Sequence, residues 1–81
     1  MTRRLAQAGN TVVPAILAIE SLGFELAADG DGVVAHRGDE EYVADDPLAL
    51  LGLIRLVELR SWRWYASDQE IDLTLRRFGW H

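Results

Sequence analysis

The segment DPLALLGLIRLVELR, from Asp46 to Arg60, constrains the fold more than any other part of the sequence. Asp46 suits the N-cap of a helix and Pro47 suits the first helical position, so the segment predicts a helix from Pro47 to Arg60. Apolar residues surround this helix almost completely, which predicts that it packs on several sides. Burial of its eight large apolar side chains would supply roughly 12–24 kcal/mol of gross hydrophobic free energy. They are Leu48, Leu50, Leu51, Leu53, Ile54, Leu56, Val57 and Leu59.

The length of 81 residues suits one domain with a modest core. We expect a flexible N-terminal arm over residues 1–10 and a single compact domain over residues 11–81. The absence of cysteine excludes disulfides, thiolate metal sites and thiol nucleophiles. The sequence contains neither a transmembrane run nor the apolar core of a signal peptide, so we expect a cytoplasmic protein that does not enter membranes. All eight basic residues are arginine, a composition typical of a bacterial protein from a high-GC genome.

Acidic residues are concentrated in the middle of the chain. Residues 20–46 contain nine acids and one base, hence a local net charge of −8 in a chain whose total is −5. Nucleic-acid binding requires clustered basic residues, so this distribution argues against it. It favours a basic protein as the partner.

The first half of the chain predicts one helix and three short strands. Thr11 is expected to cap a helix over residues 12–22, and Gly23 to end it, with Phe24 contacting Ile19. Residues 24–28, 33–37 and 41–44 have strand patterns. Because the Asp29–Gly32 and Gly38–Asp39 turns between them are short, neighbouring strands should pair in a three-stranded antiparallel meander.

A third helix follows the long one. Ser67 and Glu70 have the spacing of a capping box, and Gly79 should end the helix. Its apolar residues predict a stripe facing the core: Ile71, Leu75 and Phe78. Gly52, inside the long helix, predicts a close crossing of another element at that point. The fold class is therefore α+β, in the order α-β-β-β-α-α, with the sheet packed on the helices.

The connection Trp62-Arg63-Trp64-Tyr65 is the main candidate for binding. Trp, Tyr and Arg are enriched in the hot spots of protein interfaces, so the four residues could anchor a partner. The alternative is that Trp62 and Trp64 fold back over the core with Arg63 stacked between them. An intermediate arrangement has one tryptophan buried and one exposed. The acidic residues Asp39, Glu40 and Glu41 could steer a basic partner, or could simply form a solvated turn.

The sequence offers little for catalysis or metal binding. His36 with Asp39 or Glu41 is the candidate metal site, against the alternative of a surface histidine on a strand. Asp29–Gly32 resembles part of a calcium loop, but a hairpin turn accounts for it. No serine has a positioned base, and His81 is expected in a disordered tail. We therefore predict no enzyme activity, no cofactor and no metal.

The second half of the chain carries a resemblance over about residues 40–79. The long helix, a tryptophan-containing connection and SDQEIDLTLRRFG together resemble small bacterial single-domain proteins, some of them similar to toxin-immunity proteins. The residues that carry the resemblance are Asp46, Pro47, Leu50, Leu51, Gly52, Leu53, Trp62, Ser67 and Asp68. It implies an acidic protein that acts by binding another protein.

A second resemblance covers about residues 12–60. A helix, an Asp-Gly hairpin and a helix started by proline are similar to the N-terminal docking domains of some polyketide and peptide synthetases. This resemblance implies that a partner peptide adds to the second hairpin strand, residues 33–37. Two features differ from that pattern: a predicted third strand covers one sheet edge, and the surface is acidic where such domains are often basic.

Together these observations predict a small acidic protein-binding module that inhibits or neutralises a partner. Arg63, Trp64 and Tyr65, with Trp62, are the predicted anchors. The alternatives are a docking or assembly domain, a homodimer that buries Trp62 or Trp64, and a small metal-dependent enzyme. Both a monomer and a homodimer are compatible with the sequence.

Overall fold

The computed structural model describes residues 2–6 and 9–80. Residues 2–6 are exposed and belong to no helix or strand. Met1, Gln7 and Ala8, within the predicted arm, lie outside the described residues, as does His81, the predicted tail residue.

The order of elements is α-β-β-β-α-α, which confirms the predicted α+β class. The long helix has the predicted bounds, and the strands differ from prediction by one residue at their ends. The elements are α1 (Val12–Ser21), β1 (Glu25–Asp29), β2 (Gly32–Arg37), β3 (Glu40–Ala44), α2 (Pro47–Arg60) and α3 (Asp68–Phe78).

The three strands form an antiparallel sheet in the order β1-β2-β3. Asp29 pairs with Gly32 and Arg37 pairs with Glu40, so each hairpin has a two-residue loop. The first loop residue is glycine in both hairpins, with φ of +59° at Gly30 and +61° at Gly38. Tight hairpin loops require positive φ at this position, which explains why the Asp-Gly and Gly-Asp pairs specify these turns.

The core lies between one face of the sheet and the helices α1 and α2. Ile19, Leu50 and Ile54 are its largest fully buried side chains. The strands contribute Ala35 and Tyr42. Phe24, just before β1, completes the core with Val57 of α2. The sheet is therefore packed on helices, as the sequence predicts.

Helix α2 packs on α1 and on the sheet, but it is covered on fewer sides than its apolar pattern predicts. Only one face of the helix, formed by Leu50, Ile54 and Val57, is buried. Leu59 on another face is 72% exposed, and Leu48 and Leu56 are exposed as well. A domain of this size has too few other elements to cover a helix on every side.

Gly52 does not mark a close crossing, so that prediction is wrong. It is exposed, and a Cβ added there would have no neighbouring atom within 4 Å. Gly32 is the position where a Cβ does not fit, because it would lie 2.6 Å from the carbonyl oxygen of Ala44.

The ends of α1 match the predicted positions but only partly the predicted contacts. Thr11 occupies the N-cap position, but its side chain makes no capping hydrogen bond, which corrects the expected cap. Its backbone is in the helical region, whereas a capping side chain needs an extended N-cap. Gly23 has φ of +92°, and its N–H donates to the carbonyl of Glu20 (2.9 Å). Ile19 and Phe24 lie in the same buried cluster, as expected.

Helix α3 forms without burying any residue, so the predicted inward stripe of Ile71, Leu75 and Phe78 does not pack on the core. Ile71 and Phe78 are exposed and Leu75 is half-buried. Leu73, another apolar residue of the helix, is exposed too. The stripe has the periodicity of a buried face, but the domain supplies no surface against it.

Sequence-local contacts hold α3 together instead. Ser67 and Glu70 form the predicted capping box, and the backbone N–H of Ser67, donating to Glu70, lowers the pKa of that carboxyl. Gly79 is left-handed, and the N–H of Trp80 donates to the carbonyl of Leu75 (2.8 Å), as in a Schellman ending. The local devices matter because an 11-residue helix is only marginally stable by itself.

Among the described residues, none of the helices is both long and apolar enough to span a bilayer.

Replacement of Gly52 by alanine should raise the free energy of unfolding by about 1 kcal/mol, because alanine has the higher helix propensity and the site has room for its methyl group. Urea unfolding measures the change. Gly32→Ala is the matched control, since the same methyl group would collide with the carbonyl of Ala44. It should lower the free energy of unfolding. An equal effect of the two substitutions would contradict the conclusion that a methyl group fits at position 52 and not at position 32.

Ile54→Ala should lower the free energy of unfolding by about 2–5 kcal/mol, because it leaves a cavity in the core. Phe78→Ala removes a larger side chain, yet it should cost less than about 1 kcal/mol because the ring is 53% exposed. Urea unfolding at low protein concentration measures both changes in the free energy of unfolding. A large loss for Phe78→Ala under these conditions would show that α3 packs on the core.

Candidate functional site

The buried ring of Tyr42 joins the core to the surface. Its ring meets Phe24 edge to face, with the centroids 5.5 Å apart. On another side it stacks on Trp62, at 5.3 Å and an interplanar angle of 18°. Strand β3 thereby places the start of the aromatic connection against the sheet.

The hydroxyl of Tyr42 extends this arrangement to Glu40. It donates a hydrogen bond of 2.9 Å to the Glu40 carboxylate. That bond, together with Arg37, holds the pKa of Glu40 below its usual value, while burial and the Glu40 carboxylate raise the pKa of Tyr42. Tyr42 thus contacts Glu40 of the acidic turn through its hydroxyl and Trp62 of the aromatic connection through its ring face.

Arg37 completes the polar side of the network. Its guanidinium donates to both oxygens of Glu40, at 3.1 and 3.3 Å, and to the carbonyl of Leu22 at 2.9 Å. It also lies over the ring of Phe24, 4.2 Å from the centroid. The Glu40 carboxylate already accepts hydrogen bonds from Arg37 and Tyr42. Glu40 is therefore less suited to attracting a partner than the sequence suggests.

The backbone of the connection is held by Arg60. The guanidinium donates to the carbonyls of Trp64 (3.0 Å) and Tyr65 (3.5 Å), and it approaches Glu70 of α3 at 3.7 Å. Ser61 at the end of α2 has φ of +72°, an uncommon conformation for a non-glycine residue. The side-chain oxygen of Ser61 accepts a hydrogen bond from the N–H of Arg63 (3.3 Å).

The aromatic side chains of the connection differ in exposure. Trp64 is half-buried and packs against the core, and Tyr65 stacks on it at 4.6 Å. Tyr65 is 70% exposed and Trp62 is 59% exposed. This is close to the intermediate arrangement predicted from the sequence, because Trp64 is partly buried and Trp62 is largely exposed. Arg63 is exposed, and among the described residues its guanidinium is not stacked on an aromatic ring, contrary to the predicted alternative.

The remaining acidic candidates lie on the surface near the same strands. Asp39 and Glu41 are exposed. Glu41 approaches His36 across the strand pair, at 3.5 Å. Within residues 2–6 and 9–80, however, no group of three potential metal ligands is assembled. His36 itself is an exposed residue of β2.

The sheet does not offer the edge that the docking-domain resemblance implies. Strand β2 lies between β1 and β3 and is hydrogen-bonded on both sides, so a peptide cannot add to it. The edge strands are β1 and β3. Beside β1 there is an open cleft of about 350 Å³ between α1 and the first hairpin. It is lined by Ile16, Glu20, Leu26, Ala27, Ala28, Gly32, Val33 and Pro47.

Three residues that matter at this site, namely Arg37, Tyr42 and Arg60, were not among the sequence candidates. Tyr42 falls within the predicted strand over residues 41–44, but its neighbours Glu41 and Val43 differ in polarity, so no alternating pattern marks its side chain as inward. The pairing of Arg37 with Glu40 follows from the two-residue turn between them. The contacts of Arg60 depend on how the connection folds back, which no local pattern reveals.

The chain matches no known protein family, no curated protein and no solved structure.

Tyr42→Phe keeps the aromatic ring and removes the hydrogen bond to Glu40. We expect it to lower the free energy of unfolding by about 1 kcal/mol at neutral pH. The pKa of Glu40 is lowered by folding, so the stabilisation by this carboxylate is present above its ordinary value of 4.5 and is lost as the pH falls through the lowered pKa. Urea unfolding near pH 7 and pH 3 should show that the difference between variant and parent shrinks in acid.

Glu70 is a matched internal reference for this measurement. Its pKa is lowered by the capping box, so the stability of both proteins should decline in acid, while only their difference reports on Tyr42. A Tyr42→Phe effect of the same size at both pH values would contradict the role of the hydrogen bond to Glu40.

Proposed function

We propose that this chain is a protein-binding module whose contact surface is the connection Trp62–Tyr65. The observation that carries the proposal is the combination of exposed aromatic side chains with a backbone that is already fixed. Trp62 and Tyr65 present large rings to solvent. Such rings, together with arginine, supply most of the binding energy at many protein interfaces.

Fixation of the connection lowers the entropy that binding would cost. Arg60 donates to two of its carbonyls, and Tyr42 supports the ring of Trp62 from below. A surface that is ordered before binding retains more of its contact energy as affinity. Arg63 lies between Trp62 and Trp64 in the sequence and is exposed. Its guanidinium can therefore donate to a carboxylate or carbonyl group of a partner.

The charge distribution favours a basic partner. The chain has a net charge of −5. Asp39 in the β2–β3 turn and Glu41 in β3, the strand that supports Trp62, are both exposed. Charges placed beside an interface mainly accelerate association. We assign this steering role to Asp39 and Glu41, and a structural role to Glu40, whose carboxylate is bonded to Arg37 and Tyr42.

Inhibition or neutralisation of the partner is the form of activity that we propose for this module. The support comes from the resemblance of residues 40–79 to bacterial proteins similar to toxin-immunity proteins. A small acidic domain with one rigid aromatic surface can occupy a functional surface of a basic protein by binding alone. No chemistry of its own is required for such a role.

A second candidate is docking at strand β1. The exposed edge of β1 lies beside the apolar cleft between α1 and the first hairpin. An extended peptide that pairs with β1 could place one apolar side chain in this cleft, as in strand-addition complexes. Ile16 of α1, which is half-buried in the cleft wall, is the position that distinguishes this mode from the first.

Photo-crosslinking from position 65 in the cells that produce the protein tests the proposal. A crosslinking amino acid in place of Tyr65 should capture a polypeptide that the same group at Val13, an exposed residue of α1, does not capture. The captured protein is then purified and titrated calorimetrically. Tyr65→Ala and Arg63→Ala should each weaken its binding by about 30-fold or more, the effect expected at a hot spot.

The controls separate the two modes of binding. Val13→Ala should leave the affinity unchanged, and Asp39→Asn with Glu41→Gln should slow association at low salt with little effect on dissociation. Normal binding by the Tyr65 and Arg63 variants, with loss of binding by Ile16→Glu, would replace the first mode by docking at β1. Normal binding by all of them would contradict both.

A further inference from the structure

Helix α3 presents an apolar face for which the described part of the chain supplies no partner. Ile71 and Phe78 lie on this face with Leu75 between them, and none is buried. Trp80 extends it, because its ring stacks on Phe78 at 4.9 Å and is itself 66% exposed. Spacing at i, i+4 and i+7 is the signature of a face that packs on another surface.

The charges of α3 are divided along its length. The first turn carries Asp68 and Glu70, and the last turn carries Arg76 and Arg77. Asp72 lies near the middle and pairs with Arg76 at 3.2 Å. A parallel copy of this helix would place like charges side by side, whereas an antiparallel copy would place acids against bases. The helix macrodipoles favour the antiparallel arrangement as well.

An antiparallel pair centred on Thr74 is also complementary in its apolar residues. In that register Thr74 lies opposite Thr74, and Ile71 of one copy lies within one residue of Phe78 of the other, about 1.5 Å along the helix axis. On the flanks, Asp72 lies opposite Arg76, and Glu70 lies within one residue of Arg77. The apolar stripe and both charge pairs are satisfied together, as a two-fold interface requires.

We propose that the α3 helices of two copies of this chain pair antiparallel, with Ile71, Leu75 and Phe78 buried between them. The chain would then be a homodimer that carries two aromatic connections. The residues of this interface are separate from the Trp62–Tyr65 surface, so the inference does not depend on the proposed function.

The size of the face sets the strength of this dimer. Ile71, Phe78 and Trp80 together expose roughly 300–400 Å² per copy, given the area of aromatic side chains. Stable interfaces bury about 800 Å² per partner, so the pair is a weak one that forms only at high protein concentration. Since isolated short helices are marginal, pairing should also raise the helix content.

Cysteine crosslinking tests the orientation, because the chain contains no cysteine of its own. Thr74→Cys should form a disulfide-linked dimer under mild oxidation, since the two positions face each other across the two-fold axis. Asp68→Cys is the matched control. In the antiparallel pair the two copies of position 68 lie about 20 Å apart along the helix axis and should not crosslink. Equal crosslinking of both variants would overturn the antiparallel arrangement.

Sedimentation velocity from about 10 to about 500 µM tests the dimer itself. The parent chain should pass from monomer to dimer over this range, with a parallel rise in the helical circular dichroism signal. Phe78→Ser should remain monomeric throughout. A parent chain that stays monomeric at the highest concentration would overturn the proposal that α3 pairs with its own copy.

Charge variants supply an independent check. Asp72→Arg and Arg76→Asp should each abolish self-association, because each sets like charges against each other in its own dimer. An equal mixture of the two should associate again, since the charge pairs are restored between unlike chains. Dimerisation that survives Phe78→Ser, or that is unaffected by both charge variants, would place the interface elsewhere and overturn the proposal.

Discussion

The burial of Tyr42 is the interaction on which the rest of the structure depends. A phenol inside a small core must keep a partner for its hydroxyl, and Glu40 supplies it. The same ring contacts Phe24 in the core and stacks on Trp62 at the surface. One side chain therefore fixes the position of the β2–β3 turn relative to the connection after α2, although the two segments are about twenty residues apart in sequence.

The sheet, α1 and α2 are stabilised by long-range packing, whereas α3 is stabilised mainly by contacts between residues close in sequence. The sheet, α1 and α2 share a core of side chains that are distant in sequence, with Ile19, Leu50 and Ile54 at its centre. Helix α3 relies on its capping box, its Schellman ending and the ion pair between Asp72 and Arg76. A helix that is stabilised locally leaves its apolar face available, which is why this face can serve an interaction rather than the fold.

The exposed apolar surface of the molecule is thus of two types. The connection Trp62–Tyr65 is held by Arg60 and supported by Tyr42, so its rings are presented in one arrangement before any contact is made. The face of α3 is short, with acids in the first turn of the helix and arginines in the last. The first type of surface underlies the proposed contact with another protein, and the second underlies the proposed pairing of two copies.

The sequence determined those features that depend on neighbouring residues. The bounds of α2 follow from Asp46 and Pro47, the tight hairpins follow from Gly30 and Gly38, and the start of α3 follows from Ser67 and Glu70. Each of these signals acts within a few residues, through a cap or a turn, so a local pattern is sufficient to read it. The α+β class follows from their order.

Only the tertiary structure decided which apolar residues are covered. The apolar patterns of α2 and α3 predict burial, yet Leu59 and Phe78 stay exposed, because a chain of this length has too few elements to cover every apolar face. The site was likewise predictable only in part. The residue types of Trp62–Tyr65 identified the connection, but the contacts of Tyr42 and Arg60 that hold it join segments whose proximity is created by folding.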